Sequence, residues 1–596
     1  MVGPQYDFLM NPLGAVRSTF DHAMASGSDP SSFNGRDWGA IDLFRNFLSD
    51  HLSQVPVLTT ATIRMVKPNT LVRFRGMIQD MLGDEIYVGA FKDGSVWRTN
   101  KFMDVNKLMD ASHFPMASSA NRTIIWERRL LYCVPVPGLN SWAEISPGAV
   151  IVNQCMDLPA EQREKRRRAD DESSDMLVSG DEVQGSPNTK KIRGEQPSVA
   201  SQSLGAAPEI ASSSLNLVPG LDDGKSPPCI VKIYDSLESE LKLNDIFEFV
   251  GILTSDPELD EDNEDGDLSN GFCEDPLHNF PPSKVPRLHC FIHRKLAVQD
   301  LLRSNPIIEP KPDLIKGIRE ALISHLMAVL GNDGVAAHFM LLHLLSKVHA
   351  RVDAFAVGKL SLNLASFSKE TVSIFGDQLN FVVKNLLPFT HCIPFTVEYL
   401  NNASLAPKKN YDTNRLETGV LQLPDCSHLI VDETKLEAGT LNSVGVENAR
   451  LLKYLMECQK VEYDYKYYKM EMPIDVQLLV LSEGKSNILP ADVIVPFQPS
   501  AVSCSKAVAA ETWEAWRWYL ASVKQLPHSI DSEMQKVVEN DLVAARQADR
   551  SLNPQDLSRW LTMGRLMSLS YGETNLSLEH WQMVKELERL RRERLK

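Results

Sequence analysis

The sequence predicts a multidomain α/β protein with small β units near its start, a layered α/β domain, a helical C-terminal region and one long linker. Three observations predict this. Short strand-like runs punctuated by glycine recur before residue 155 and again after Cys229. From about residue 312, helical patterns alternate with short apolar runs, the mark of a sheet layered with helices. Between these parts, residues 156–227 are rich in Ser, Gly, Pro, Gln and charge and poor in aromatics, the composition of a disordered linker. The expected regions are therefore 1–155, 156–227, 228–311, 312–500 and 501–596. With 596 residues, 43% hydrophobic and 23% charged, the chain has material for more than one core.

Composition narrows the function classes. A formal net charge of −16 sets up no field that would draw in nucleic acid, so a protein partner is favoured. The nine cysteines show no CxxC and no paired spacing, and read as reduced intracellular thiols. The opening MVGPQYDFLMNPLG lacks the basic and apolar regions of a signal peptide, and no apolar run approaches a membrane span. A soluble intracellular protein is expected.

Within 1–155, residues 38–52 place Ile41, Phe44, Leu48 and Leu52 at helical spacing. Residues 71–78 and 85–89 alternate as strands on either side of a Gly83-Asp84 turn, and 123–134 reads as a third strand. Short strands of this kind suggest a small barrel of oligonucleotide-binding-like (OB-like) type. Arg73, Phe74 and Arg75 could face nucleic acid there, as such barrels allow. Alternating core and solvent positions explain the same pattern and are the preferred reading.

Inside the linker stand two basic clusters, Lys165-Arg166-Arg167-Arg168 and Lys190-Lys191-Ile192-Arg193, which read as nuclear-import signals in an otherwise acidic chain. Ser186-Pro187 and Ser226-Pro227 offer sites for proline-directed phosphorylation. Residues 230–234 and 245–253 then read as strands of a second small β unit, interrupted by an acidic loop at 256–274. Cys273, His278, His289, Cys290 and His293 fit no zinc template, because His289 and Cys290, adjacent on a strand, point to opposite faces.

Residues 314–330 and 335–348 read as helices joined by Gly331-Asn332-Asp333-Gly334. Strands at 360–364 and 475–481 and helices near 381–387 and 449–460 continue the alternation. Helices are expected over 512–523, 542–546, 556–570 and 578–595, with Trp513, Trp516 and Trp518 near helical spacing and read as core. The charged run 586–596 is expected to extend into solvent.

The chemistry concentrates at 414–437. Residues 427–434 form a short apolar run ending in Asp432-Glu433, as a buried strand does when it carries two carboxylates to the edge of a parallel sheet. In nucleoside-triphosphatases this is the Walker B strand, where Asp helps hold Mg²⁺ and Glu orients the attacking water. A phosphate loop must then supply backbone N–H groups, a lysine and a hydroxyl. Gly331 and Gly334 stand at a loop-to-helix junction where an anion could sit, but Ala337 and His338 hold the two side-chain positions. Alanine brings no charge, and histidine is a poor ligand for a cation that prefers oxygen. Gly484-Lys485-Ser486 has Leu479 where the first glycine belongs. Asp432 and Glu433 are thus expected to act structurally, capping backbone or pairing with Lys435 or Arg415.

These residues also carry a family resemblance. Residues 331–338 with the following helix resemble a degenerate phosphate loop of minichromosome maintenance (MCM) replicative helicases. Residues 415–433 are similar to the helicase segment leading into Walker B, and 557–581 to the C-terminal lid. Apart from the linker and acidic loop, the chain resembles the MCM complex-binding protein family in its plant form. The segments that carry this are KKNYDTNRL at 408–416, LIVDET at 429–434, QKVEYDY at 459–465 and LSEGKS at 481–486. The resemblance implies a degenerate AAA-type domain at 312–500 without phosphate-loop function, and a helical lid at 501–596. It implies a nuclear partner of MCM helicase subunits with no catalytic residue, cofactor, metal or small-molecule substrate, tied to chromatin only indirectly and to no membrane. The roles it implies are assembly or protection of subunits, release of the complex from chromatin late in S phase, and a link to sister-chromatid cohesion. The lack of lysine at Ala337 and of an arginine finger after Leu489 fits that picture. Two other readings stay open: an ATPase using Asp432 and Glu433 with an unusual loop, and DNA binding through the N-terminal β unit.

Overall fold

The N-terminal half is built on one strand, Thr70–Asp93 (β1), which runs 24 residues without reversing. Gly83, at φ +93°, sits at a register shift against the neighbouring strand, so it is a bulge and not the expected turn. The bulges bend β1 enough for its two halves to pair with different neighbours. The remaining strands here are Val96–Thr99 (β2), Thr123–Val134 (β3), Cys229–Ile233 (β4), Ile246–Leu253 (β5) and Arg287–Lys295 (β6). They pair in the order β2-β1-β3-β4-β6-β5, and the first half of β1 also pairs with β5, closing a ring of five strands. Only β4–β6 is parallel in that ring. The two β-rich segments therefore share one sheet where the sequence suggests two units, because the closing pairs (Thr70 with Leu253, Ile230 with Arg287) join distant residues that local alternation cannot link.

The computed structural model describes residues 7–104, 123–144, 227–234, 240–254, 285–302, 312–353, 355–502 and 507–596. All belong to one unit, 1–152 with 222–596; the other unit, 153–221, lies outside the described residues. Both basic clusters, Ser186, Ser226, Cys273 and His278 also lie outside them.

The ring encloses Val72, Phe74, Ile78, Leu131, Cys133, Val231, Phe249 and Leu288, while its outer face carries Leu71, Ile252 and Phe291. Helices Pro12–Ala25 and Ala40–His51 cover that outer face with Leu13, Val16, Phe44 and Leu48. β1 is therefore buried on both faces over its first half.

The C-terminal half begins with helices Pro312–Val329 and Gly334–Leu345. A small hairpin, Ala350–Val352 (β7) with Phe355–Val357 (β8), precedes Leu362–Ala365 (β9). After a helical stretch through a π-type turn at Val372–Gly376 to Asp377–Leu386 come Thr390–Pro394 (β10), Lys408–Asn410 (β11), Arg415–Glu417 (β12) and Ser427–Asp432 (β13). Helix Ser443–Cys458 leads to Lys460–Asp464 (β14), Lys469–Pro473 (β15), Val476–Leu481 (β16) and Val493–Pro496 (β17). Five of these form an all-parallel sheet in the order β10-β13-β16-β9-β17. β13 and β16 are buried along their whole length, as helices on both faces require. Ile430, Leu479, Leu362 and Leu364 face one helical layer, and Leu429, Val431, Leu478 and Val480 face the other. Hairpins β11–β12 and β14–β15 join in a separate four-stranded sheet, β12-β11-β14-β15.

That second sheet docks on the ring. The Asp80 carboxylate accepts the Leu416 N–H at 2.7 Å, and the Gln79 amide donates to the Leu416 carbonyl at 2.7 Å. On the other side of the joint, the Trp142 indole donates to the Lys384 carbonyl at 2.9 Å, and the Arg517 guanidinium lies 4.1 Å from the Trp142 ring centre.

The last helices are Ala510–Val523, Ser532–Ala548, Pro554–Ser570 and Leu578–Leu595. Trp516 is buried, and Trp513 and Trp518 pack against the same core. The final charged turn does not extend into solvent. Arg591 donates to the Ile494 carbonyl at 3.0 Å, and Arg594 pairs with Asp333 at 2.7 Å and reaches the Pro496 carbonyl. The arginines clamp the edge strand β17, a tertiary contact that the run of charges does not reveal.

Candidate functional site

In an open parallel sheet, ligands bind beyond the carboxyl ends of the strands where the chain order reverses. Here the chain leaves β9 for the far edge at β10, returns through β13 and β16, and passes to β17 on the opposite side of β9. The reversal lies between β9 and β16. Three segments meet at this edge: 366–371 after β9, Asp432-Glu433 at the end of β13, and 482–486 after β16. Their contact is fixed by register, with Asp432 beside Leu481 and Leu481 beside Leu364.

The structure does not bring Gly331, Gly334, Ala337 and His338 to this place. The Gly331–Gly334 turn sits at the end of β17, where the Gln498 N–H donates to Asp333 and the Ser500 N–H to the Gly331 carbonyl. β17 is three strands from β13, or about 14 Å at the usual ~4.8 Å strand spacing. The glycine pair before a helix is a local signal, whereas strand order is not, so the expectation that this turn faces Asp432 is corrected. The helix N-terminus is also filled from within: Asp333 caps the Ala336 N–H at 3.0 Å while its other oxygen holds Arg594. Ala337 is buried in the core, and His338 Nδ1 lies 2.7 Å from the Gly334 carbonyl of its own helix.

The loop in the phosphate position is 366–371, which sequence reasoning missed because it contains no glycine. Four of its backbone donors, at Ser366, Phe367, Ser368 and Thr371, already have partners. The Ser366 N–H donates to the Glu483 carbonyl at 3.1 Å and the Phe367 N–H to the Ser482 carbonyl at 2.9 Å. Ser368 caps the helix that follows: its hydroxyl accepts the Thr371 N–H, and the Thr371 hydroxyl accepts the Ser368 N–H at 2.6 Å. Phe367 is fully buried and stacks on Phe497 with ring centres 4.5 Å apart. The one lysine, Lys369, points away and pairs at the surface with Glu437 at 2.8 Å. A phosphate cradle needs free N–H groups turned inward and a lysine among them; this loop turns a phenylalanine inward.

The acidic pair is held by its own neighbourhood. Asp432 Oδ1 accepts the Thr434 N–H at 3.1 Å and the Thr434 hydroxyl, and Oδ2 pairs with Lys435 at 3.3 Å. Arg415 is elsewhere, its guanidinium 5.2 Å from the Tyr132 ring centre on the barrel. Burial pushes the Glu433 carboxyl up, with the Ser486 hydroxyl opposing. Gly484-Lys485-Ser486 lies beside this pair, closer than its sequence separation suggests. Among the described residues no helix follows it before β17, and Ser486 turns inward to accept the Leu489 N–H at 3.0 Å.

Below the sheet's other end, His343 and His428 meet with their Nε2 atoms 3.0 Å apart, and His343 Nδ1 lies 2.7 Å from the Leu360 carbonyl. Burial lowers both, His343 to about 4 and His428 well below its ordinary value, so the pair is neutral and holds β13 to helix Gly334–Leu345.

On the barrel, Arg73 and Arg75 do not form a nucleic-acid surface. Arg73 and Glu248 are almost fully buried and paired at 3.4 Å, and Arg73 also donates to the Leu52 carbonyl. Arg75 donates to the Ala143 carbonyl at 3.1 Å, and Phe74 is in the core, so all three are structural. His289 and Cys290 do face opposite ways: His289 Nδ1 is 2.6 Å from the Tyr234 hydroxyl on the outer face, and Cys290 lies in the ring interior.

Comparison with known proteins is consistent along the whole chain. Residues 44–595 match the family model for the mini-chromosome maintenance replisome factor. The chain is 58% identical to the mini-chromosome maintenance complex-binding protein of Arabidopsis thaliana, with both chains covered in full. It is 33% identical to the protein of that name from Salmo salar, covering 99% of this chain and 97% of the other. The Homo sapiens counterpart is 32% identical over 99% of this chain and 98% of its own.

Proposed function

Because the chain belongs to the mini-chromosome maintenance complex-binding protein family, we propose that it binds subunits of the MCM helicase and does so without catalysis. The observation that carries the non-catalytic part is the loop 366–371, where the Ser366 and Phe367 N–H groups are engaged by the 483 and 482 carbonyls and the centre is filled by Phe367. With no cradle for phosphate and Lys435 in the place of a cation beside Asp432, the edge keeps the outline of a nucleotide site as packed structure. Supporting a degenerate AAA-type reading of this half are the five parallel strands and the acidic pair at the carboxyl end of β13. Supporting an OB-like reading of the other half is the closed ring of five strands with its single parallel pair.

A helicase-like body that cannot turn over ATP acts by occupying surfaces that subunits otherwise offer one another. Its effect then follows mass action, stabilising the subunit it holds and competing with ring closure. Assembly and protection of free subunits, release of the complex from chromatin late in S phase, and the linked role in sister-chromatid cohesion are outcomes of that one competition. Nuclear entry through Lys165, Arg166, Arg167, Arg168, Lys190, Lys191 and Arg193, and tuning by phosphorylation at Ser186 and Ser226, complete the proposal.

Equilibrium titration of the purified chain tests the non-catalytic part. No ATP binding at millimolar concentration is expected; saturable binding with hydrolysis that depends on Glu433 contradicts it. Co-purification with individual MCM subunits tests the partner.

A further inference from the structure

Hairpins β11–β12 and β14–β15 carry a cluster that the carboxyl-edge site does not use. β11 and β14 pair in parallel at Lys408 and Asp464, so the turns that follow them emerge at the same end of the small sheet. The tip so formed is aromatic. Tyr467 is 77% exposed, Tyr468 55% and Tyr411 44%. Tyr411 and Tyr467 lie edge to face at 5.5 Å, and Tyr465 and Tyr468 stack at 5.0 Å. The Tyr411 hydroxyl donates to the Tyr465 carbonyl at 2.9 Å, which ties one turn to the other. Lys466, at φ 61°, holds its ammonium 5.8 Å from the Tyr467 ring centre. The rings are thus fixed in place before any partner arrives, which lowers the entropy cost of using them as contacts.

The charges around the tip decide what it fits. Lys408 and Lys466 are exposed, and so are Asp412 and Glu417, with Asp464 half-buried beside them. Lys409 is engaged with the Asn414 carbonyl, and Lys469 with Glu447 and Glu462. A polyphosphate backbone calls for an excess of cations along its path. This tip has mixed signs, which complement a protein surface of mixed charge, and tyrosine is the residue type enriched at the centre of such contacts.

We propose that the tip formed by Tyr411, Tyr467 and Tyr468 is the anchor that seats in an MCM helicase subunit. The receiving surface is an apolar pocket rimmed by acceptors for the tyrosine hydroxyls and Lys466. This placement rests on the proposed function. The test is the full-length chain carrying Tyr467→Ser and Tyr468→Ser together, titrated against each purified MCM subunit beside the unsubstituted chain. Affinity is expected to fall at least about tenfold, with the thermal unfolding midpoint nearly unchanged because both rings are more than half exposed and their ring contacts are to other residues of the tip. Phe355→Ser, at another exposed hairpin tip (70% exposed), is expected to leave affinity unchanged. Equal affinity of the double variant and the unsubstituted chain overturns the placement, as does an equal loss with Phe355→Ser. Salt-sensitive binding of a single-stranded oligonucleotide that the double variant loses overturns it in favour of nucleic acid. No binding of any subunit by the unsubstituted chain overturns the underlying reading instead.

Discussion

Replacing Phe367 by alanine separates a packed remnant from a working ligand loop. The ring is 0% exposed, stacks on Phe497 at 4.5 Å with 17° between planes, and belongs to the core beneath β9 and β17. Truncating a phenylalanine so placed costs about 3–5 kcal/mol from lost transfer energy and the cavity left behind. The neighbouring Lys369→Ala removes only a surface pair in which both side chains are more than half exposed, so it leaves stability essentially unchanged. In a phosphate loop the order is reversed: the lysine matters most for the ligand, and loop side chains matter little for stability. The assay is urea unfolding of the three proteins, with ATP affinity measured on each. A large loss of stability for Phe367→Ala, none for Lys369→Ala, and no ATP binding by any of them is expected. A loss under about 1 kcal/mol for Phe367→Ala, or an ATP affinity that Lys369→Ala abolishes, would refute the reasoning.

Three further predictions follow from buried polar groups. His343 and His428 have folded values depressed below the ordinary ~6.5, so their neutral pairing is fully present above that pH and is lost as pH falls toward about 4. Lowering pH from 7 to 5 should therefore cost about 2 kcal/mol through His343 alone, read as a lower urea midpoint; a flat midpoint over that window contradicts the pairing. Asp333→Ala removes a helix cap and the partner of Arg594 together, so a loss of about 2–4 kcal/mol is expected, with Asp333→Asn nearer half of it. Arg73→Ala breaks a buried pair with Glu248 and should cost about 3 kcal/mol in the same unfolding assay. Single-stranded DNA affinity should not change with it; a selective loss of DNA binding with intact stability would restore the nucleic-acid reading of Arg73 and Arg75.

What was legible in the sequence was local. The strand at β13 reads correctly because Leu429, Ile430 and Val431 form a short apolar run flanked by the polar His428 and Asp432, and helix Leu578–Leu595 appears with the expected ends. Errors arise where distant residues decide. β1 divides into two strands on paper because Gly83 signals a turn, yet pairing with β3 on one half and β5 on the other carries the strand through. The Gly331–Gly334 turn resembles an anion loop, but the strand order puts it beside β17 and fills its helix with Asp333. The loop that does occupy the switch point escaped notice for a physical reason: residues 366–371 contain no glycine and place Phe367 at their centre, so they carry no phosphate-loop signal. The tyrosine tip is not legible in the sequence, because only the parallel pairing of two hairpins brings Tyr411 to Tyr467.

The central claim is binding to MCM subunits that needs no nucleotide, and it is tested most directly by titrating the full-length chain against each purified MCM subunit in nucleotide-free buffer. A saturable complex with at least one subunit, of the same affinity after millimolar ATP is added, is predicted. No complex with any subunit, or one that forms only when ATP is present and is lost on substituting Asp432 or Glu433, would contradict the account.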